Sequence, residues 1–348
     1  MPRVLHLASD LGPTAVGKQL SLLAPALAAR GAGTAVAVLG GTWPFGSALE
    51  AAGVAVRRVS VRHPIDLPGF LAVRRAVIDV RPDVVCAWGD AAIRATHLLR
   101  GIPVPVVAAG PGAAGGWLRD RALRAAAAVV AFTPAGAERA KAVGVAADRI
   151  RMVPLAVAPV AAVDLRSLGL PAGARVIAAA GRLDASADGR TAVWAFDVLR
   201  YADPNLYLLL VGGDPGRGRL ERLADALAFD DNRVRFAGPR ADAAAMLAAA
   251  DVVWVTATRG GVNVALEAMA AGRPVVAVRN SDLAGLVDDA LVVPPTDRVR
   301  LAAVTNELFA SPDRLAAAGG HGRAVAARHT VPAAADALAA ALSDVRPA

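Results

Sequence analysis

The stretch TRGGVNVALEAMAAGRPVVAV, Thr258 to Val278, decides how the chain is read. It follows a strand-like run, DVVWVTA, and passes through a Gly-Gly turn into a short helix and then a second apolar strand. Those are the parts of a parallel strand–helix–strand unit. Gly260 and Gly261 let backbone approach a ligand without a Cβ in the way. The helix after them points free N–H groups and a partial positive charge beyond the strand end, a cradle for phosphate. Glu267 is a lone carboxylate early in that helix. Its two oxygens suit the diol of a ribose, or it merely complements the helix N-terminus.

Outward from this stretch the same alternation recurs. In the first half RVLHLAS, TAVAVLG, VAVRRVSV, DVVCAWG, VPVVAAGP and AAVVAFTP read as strands. GKQLSLLAPALAARG, GSALEAAG, LPGFLAVRRAVIDVRP and DAAIRATHLLRG read as helices between them. MVPLAVAPVAAVD, 152–164, carries spaced prolines and no helix signal and reads as an interdomain linker. Beyond it RVIAAAGR, LYLLLVGG, RVRFAG, DVVWVTA and ALVVPP are strands, with helices between and after them. Repeated units of this kind imply α/β domains with doubly wound parallel sheets. The expected division is a first domain at 1–158, a second at 159–328, and a terminal helix at 329–348 that packs back across the junction. Two such domains make a cleft at the carboxyl ends of their strands, where ligands bind.

Composition narrows the classes. The chain has 348 residues, 55% of them hydrophobic, enough for two full cores. No apolar run approaches the ~18 residues of a membrane span. The N-terminus MPRVLHLASD lacks a signal-peptide core, and the single cysteine, Cys86, fits a reducing compartment. A cytoplasmic protein is expected, at most peripheral to the inner face of the membrane. The net charge of +8 comes from scattered arginines, 36 of the 38 basic residues, and aromatics are only 4%. That pattern argues against nucleic acid. It leaves room for an anionic substrate or a peripheral contact with anionic lipid.

Glutamate occurs only at 50, 138, 221, 267 and 307, and EAMAAGRPVVA is a specific string around one of them. The string closely resembles the hallmark segment of the GT4 family of retaining glycosyltransferases, which have the two-domain GT-B fold. RVLHLASDL…KQLSLLAPALAARG, GRL at 181–183, LYLLLVGGDPGRGRLERLADAL, RVRFAGPRADAAAMLAAADVVWV, ALVVPPTD and HGRAVAARH follow in the family's order. The resemblance implies transfer of a sugar from a nucleoside-diphosphate sugar to a glycan, lipid or small-molecule acceptor, with retention and without a metal or other cofactor. It implies that Glu267 holds the ribose and Arg182 the diphosphate. The backbone of Gly261, Val262, Asn263, Val264 and Ala265 would cradle phosphate and sugar, and Gly238–Arg240 would border the base. Gly12, Thr14 and Gly17 belong to an acceptor-side loop.

The chain also departs from that pattern. The family's earlier glutamate falls on Arg259, which cannot accept a hydrogen bond from a sugar hydroxyl but suits a carboxylate or phosphate. The family's diphosphate lysine falls on Asp188, with Arg190 nearby as a substitute. Thr14 and Ala15 occupy the place of a Gly-Gly pair. The first-domain histidine has no counterpart near Gly110 or in CAWG. His6 reads as a packed residue, His97 as a packed or surface residue and Cys86 as a buried thiol. No catalytic residue is assigned. A catalytically weakened homologue, binding a nucleotide-sugar or a protein, is the competing reading. A dehydrogenase is excluded because VGGDPGRG lacks G-x-G-x-x-G spacing. No P-loop string and no clustered Cys/His set occur. A sugar-nucleotide epimerase of the same fold would leave LEAMAAGRPVV unexplained.

Overall fold

The apolar runs form parallel strands in two separate sheets. The computed structural model describes residues 1–40, 44–59, 66–112, 115–182, 187–213, 217–227 and 233–345. His63, Leu183, the 214–216 turn and the Asp188 side chain lie outside that description. The chain divides into Met1–Ala156 with Thr330–Ala348, and Val157–His329.

In the first unit the strands are β1 (Val4–Ala8), β2 (Thr34–Val38), β3 (Ala55–Arg58), β4 (Val84–Trp88), β5 (Val106–Ala109), β6 (Ala128–Ala131) and β7 (Ile150–Met152). Among the described residues they pair in the order β3-β2-β1-β4-β5-β6-β7, all parallel. The helices are α1 (Ala15–Ala28), α2 (Gly46–Ala51), α3 (Leu67–Val80), α4 (Asp90–Ala95), α5 (Trp117–Ala125) and α6 (Pro134–Ala142). Every residue of β1 is buried, as expected of a central parallel strand covered on both faces. One face packs on Leu20, Leu23 and Leu27 of α1 and on Leu338 and Leu342 of the C-terminal helix, Val331–Ser343. The other packs on Val73 and Val77 of α3, with Ile93 and Leu123. The C-terminal helix is thus part of the first unit's core.

Local structure departs from the sequence reading at three places. Helices α5 and α6 stand where no helix was expected, because each is only nine residues long and polar on average. DAAIRATHLLRG is not one helix: α4 gives way to a 3-10 turn at Thr96–Leu99. The linker reading begins inside β7, and its Ala156 is pinned rather than loose. The Gln19 side chain donates to the Ala156 carbonyl and accepts its N–H, both at 2.8 Å and both buried.

His6 sits in the middle of β1, fully buried, and its Nδ1 accepts from Trp88 Nε1 at 3.0 Å. Burial lowers its pKa from the ordinary 6.5 to about 3. Cys86 lies opposite it on β4, and burial pushes that thiol up. His6 therefore stays neutral in the fold while the unfolded chain takes up a proton. Its contribution is present above pH 6.5 and is lost as pH falls toward 3. Urea midpoints across that range are expected to fall more steeply for the native chain than for His6→Met. Equal slopes would remove His6 as the cause.

The second unit has strands β8 (Arg175–Gly181), β9 (Leu206–Gly212), β10 (Val234–Gly238), β11 (Val252–Val255), β12 (Val275–Val278) and β13 (Val292–Val293). Among the described residues their order is β10-β9-β8-β11-β12-β13, again all parallel. The helices are α7 (Ala187–Leu199), α8 (Arg217–Ala226), α9 (Ala243–Ala249), α10 (Val262–Ala270), α11 (Arg298–Phe309) and α12 (Pro312–Ala326). Buried Trp254 on β11 donates to Thr305 Oγ1 at 2.8 Å, and that hydroxyl donates to the Leu301 carbonyl at 2.8 Å, so α11 locks the strand that feeds α10. In each unit the strand order reverses direction once, between β1 and β4 and between β8 and β11. Such a switch point is where open α/β sheets bind ligands, beyond the carboxyl ends of the strands.

Candidate functional site

The second unit's switch point gathers the stretch that opened the sequence reading. β8 and β11 run side by side with Ile177 opposite Val252 and Ala179 opposite Trp254. Both strands therefore leave the sheet at one edge. β8 ends at Gly181 and is followed by Arg182, which is exposed. β11 runs into Thr256–Gly261, with Gly260 at φ 72° and Gly261 at φ 79°. Both are left-handed values that favour glycine. A Cβ on Gly261 would also lie 2.5 Å from Val255 Cγ1, so this glycine is required by sterics as well as by φ.

The sequence reading missed what holds this loop. Asn280 and Asp282, both nearly buried, follow β12. Asp282 Oδ2 accepts the Gly260 N–H at 2.9 Å, and Asn280 Nδ2 donates to the Ala257 carbonyl at 2.7 Å. Asn280 Oδ1 in turn accepts the N–H groups of Asp282 and Leu283, at 2.9 and 3.1 Å. The signal was present as two Asx residues just past a strand end, a pattern that builds turns.

Helix α10 starts at Gly261, and no side chain caps it. The Ala265 N–H is spent on the Gly261 carbonyl at 3.0 Å, and Ala265 is fully buried. The expected cradle therefore shortens by one residue and runs from Gly261 through Val262 and Asn263 to Val264. Asn263 and Glu267 lie four residues apart, both half-buried on one side of the helix. Arg259 is exposed and makes no hydrogen bond or ion pair among the described residues.

Neighbouring strand ends complete this edge. A Cβ on Gly212 would lie 2.2 Å from the Gly181 carbonyl oxygen, and Gly213 N–H donates to that oxygen at 3.1 Å. Part of the VGGDPGRG glycine content thus serves close strand approach. Gly238 is buried, has φ 72° and ends β10 at a register shift. Arg240 forks onto Asp242 with two contacts of 2.8 Å. That fork raises the Arg240 pKa and holds the Asp242 carboxyl below its usual range.

In the first unit the loop after β1 is closed on itself. Thr14 caps α1: its hydroxyl accepts the Gly17 N–H at 3.1 Å and donates to Asp10 Oδ1 at 2.9 Å. Asp10 also accepts the Gly12 N–H at 3.0 Å. Gly12 and Gly17 are buried, and a Cβ on Gly17 would lie 2.2 Å from the Gly12 carbonyl oxygen. Of the three acceptor-side residues only Thr14 faces solvent, and its hydroxyl is committed to the cap. At the end of β4 stands a carboxylate that sequence reasoning passed over. Asp90 accepts the Gly112 N–H at 2.9 Å, while buried Arg119 lies 3.7 Å away and donates to the Gly112 carbonyl at 2.7 Å. No periodicity marks Arg119, so only the fold brings it there. His97 is half-buried, with Nε2 2.7 Å from the Leu118 carbonyl oxygen.

Comparison with known proteins gives this edge a context. Residues 174–311 match the family described as Glycosyl transferases group 1. A lipopolysaccharide core biosynthesis glycosyltransferase, LpsD, of Rhizobium meliloti (strain 1021) is 34% identical over 168 residues, 46% of this chain and 47% of that protein. A D-inositol 3-phosphate glycosyltransferase of Corynebacterium urealyticum is 33% identical over 178 residues, 47% of this chain and 42% of that protein. The chain thus spans about half the length of the curated relatives it matches. The crystal structure of Anabaena HepE in complex with UDP-glucose aligns with a TM-score of 0.82 at 21% identity, over 99% of this chain and 100% of that one. Two parallel sheets in the strand order seen here are the α/β architecture of the GT-B fold. Residues 174–311, which hold Arg182, Arg259 and Glu267, are thus similar to the glycosyl transferases group 1 family, and the two sheets share the fold of its solved structures.

Proposed function

We propose that the chain transfers a sugar from a nucleoside-diphosphate sugar to an acceptor, with retention at the anomeric carbon. The observation that carries this reading is an uncapped helix N-terminus, Gly261 to Val264, at the same sheet edge as Arg182, by the second unit's switch point. Backbone N–H groups and a guanidinium held in fixed positions stabilise charge that develops on a departing diphosphate. Glu267, further along the same helix, accepts the ribose hydroxyls. The turn at Gly238–Arg240 borders the base. The first-unit loop at Gly12, Thr14 and Gly17 faces a glycan, lipid or small-molecule acceptor. No metal or other cofactor enters the reading, because the positive charge comes from the chain itself.

One observation favours a second reading. Arg259 is exposed and, among the described residues, makes no ion pair, where the resembled family places a carboxylate on the donor sugar. A chain that has lost that group is a nucleotide-sugar-binding module, or takes a sugar bearing a negative charge. Calorimetric titration with UDP, GDP and ADP, then with their sugars, separates these readings. UDP is the first choice because the similar Anabaena structure holds UDP-glucose. Saturable binding to one nucleotide, followed by release of that nucleotide when acceptor is added, is the expected result. Binding without turnover leaves the module reading, and no binding by folded protein overturns both.

A peripheral membrane contact belongs to the same proposal. No helix among the described residues is long and apolar enough to cross a membrane. Trp117 is 66% exposed, with Leu118 beside it and the Arg121 guanidinium 5.4 Å from its ring. An exposed ring flanked by basic residues suits an anionic lipid surface. Co-sedimentation with anionic but not neutral vesicles is expected, weakened by salt and by Trp117→Ser. Equal recovery with both vesicle types would exclude the contact.

A further inference from the structure

We propose that the second unit carries an oxyanion subsite between the first turns of α7 and α11, for a phosphate or carboxylate group. A cavity of about 190 Å³ there is lined by Arg190, Thr191, Trp194, Thr296 and Arg298. That is smaller than the ~300 Å³ at which pockets begin to hold whole drug-sized ligands, so it suits one charged group rather than a nucleotide.

Two cations line this space, and among the described residues no carboxylate pairs with either. The Arg298 guanidinium lies 4.7 Å from the centroid of the Trp194 ring. The stack holds the planar fork in place while leaving its N–H donors at the rim. Arg298 side-chain atoms make no ion pair among the described residues. Arg190 is exposed and has neither a hydrogen bond nor an ion pair among them. The adjacent Asp297 carboxylate is committed elsewhere, accepting the Arg300 N–H at 2.9 Å as the cap of α11. Glu307 lies against Arg300 and Arg314. Two like charges on one cavity repel, and an oxyanion between them turns that repulsion into paired, charge-assisted hydrogen bonds.

The location adds to the argument. α7 follows β8 and α11 follows β13, so both helix N-termini lie at the carboxyl edge of the sheet, the edge that also carries Arg182 and Gly261. Their partial positive charges reinforce the two guanidinium groups. An anion held here is either a substituent on a ligand bound at the switch point or a free phosphate. The first source rests on the proposed function and the second does not.

Inorganic phosphate is the direct probe. Titration of the full chain is expected to show saturable phosphate binding that weakens about tenfold or more in the double variant Arg190→Gln/Arg298→Gln. Arg75→Gln, on an exposed position of α3 in the first unit, should leave it unchanged, and the Arg190 and Arg298 side chains are exposed, so the fold survives; a thermal melt checks this. Absence of saturable binding, or equal binding in the double variant, overturns the proposal. Phosphate displaced by UDP and indifferent to the pair also overturns it, because the anion is then in the nucleotide site. The source is read separately. A UDP-glucuronate preference over UDP-glucose that closes in the double variant assigns the subsite to a charged ligand. Phosphate binding that persists in saturating UDP assigns it to a free anion. If UDP fails to bind at all, the functional reading falls, and the phosphate arm still decides the subsite.

Discussion

Replacing Glu267 with alanine weakens nucleotide binding by roughly 10- to 100-fold, the equivalent of about 1.5–3 kcal/mol for hydrogen bonds to a charged group. The residue is half-buried on α10, two turns from the uncapped N-terminus, so it addresses the same ligand as the phosphate cradle. Truncation removes the acceptor for both ribose hydroxyls and leaves the helix backbone intact. Glu267→Gln keeps one acceptor oxygen and should fall between the two. The loss should be larger for UDP than for the deoxyribose analogue, which lacks a hydroxyl to lose. Calorimetric affinities for the four combinations check this, with melting temperatures alongside. Equal affinities for native and Glu267→Ala chains would place the carboxylate outside the site and leave it as a helix-terminus complement.

The second large effect is on stability, and it concerns neighbouring glycines with opposite fates. Helix α12 contains Gly319 and Gly320 in its interior. A Cβ on Gly319 would lie 2.3 Å from the Gly272 carbonyl oxygen, at the end of α10, and that atom is backbone with nowhere to go. A Cβ on Gly320 meets nothing within 4 Å, and the residue is exposed. Gly319→Ala is therefore expected to destabilise the second unit by about 1–3 kcal/mol, as overpacking does. Gly320→Ala should stabilise it by up to ~1 kcal/mol, the helix propensity that glycine forgoes. Urea midpoints moving in opposite directions is the expected result. Both moving down would mean that α12 needs flexibility rather than close approach. Because α12 backs the helix that carries Glu267, Gly319→Ala should also weaken nucleotide binding, and Gly320→Ala should not.

Different parts of this protein were legible to different degrees. The alternating elements could be read from composition runs because a parallel strand buried on both faces is continuously apolar, as β1 and β4 are. The left-handed turn before α10 was legible because glycine pairs have few other uses. Helices α5 and α6 were not, since each is only nine residues long and its few apolar positions are diluted by polar ones. The burial of the glycines at 12 and 17 was not legible either, because it follows from Gly17 packing against the loop's own backbone.

By itself the sequence determined the α/β class, the repeated parallel units, the left-handed turn at Gly260–Gly261 and the family-like string around Glu267. Each of these rests on local preference or short-range spacing. Only the tertiary structure decided which of the named groups are accessible and what holds them. Arg182 and the start of α10 stand at one edge of the sheet because β8 pairs with β11 across some seventy-five residues of chain, as Ile177 opposite Val252 shows. Asn280 and Asp282 hold the Gly260 turn from beyond the next strand. Arg190 and Arg298 line one cavity only because α7 packs on α11. Such pairings depend on strand order and on the packing of distant apolar faces, and a local window of sequence records neither.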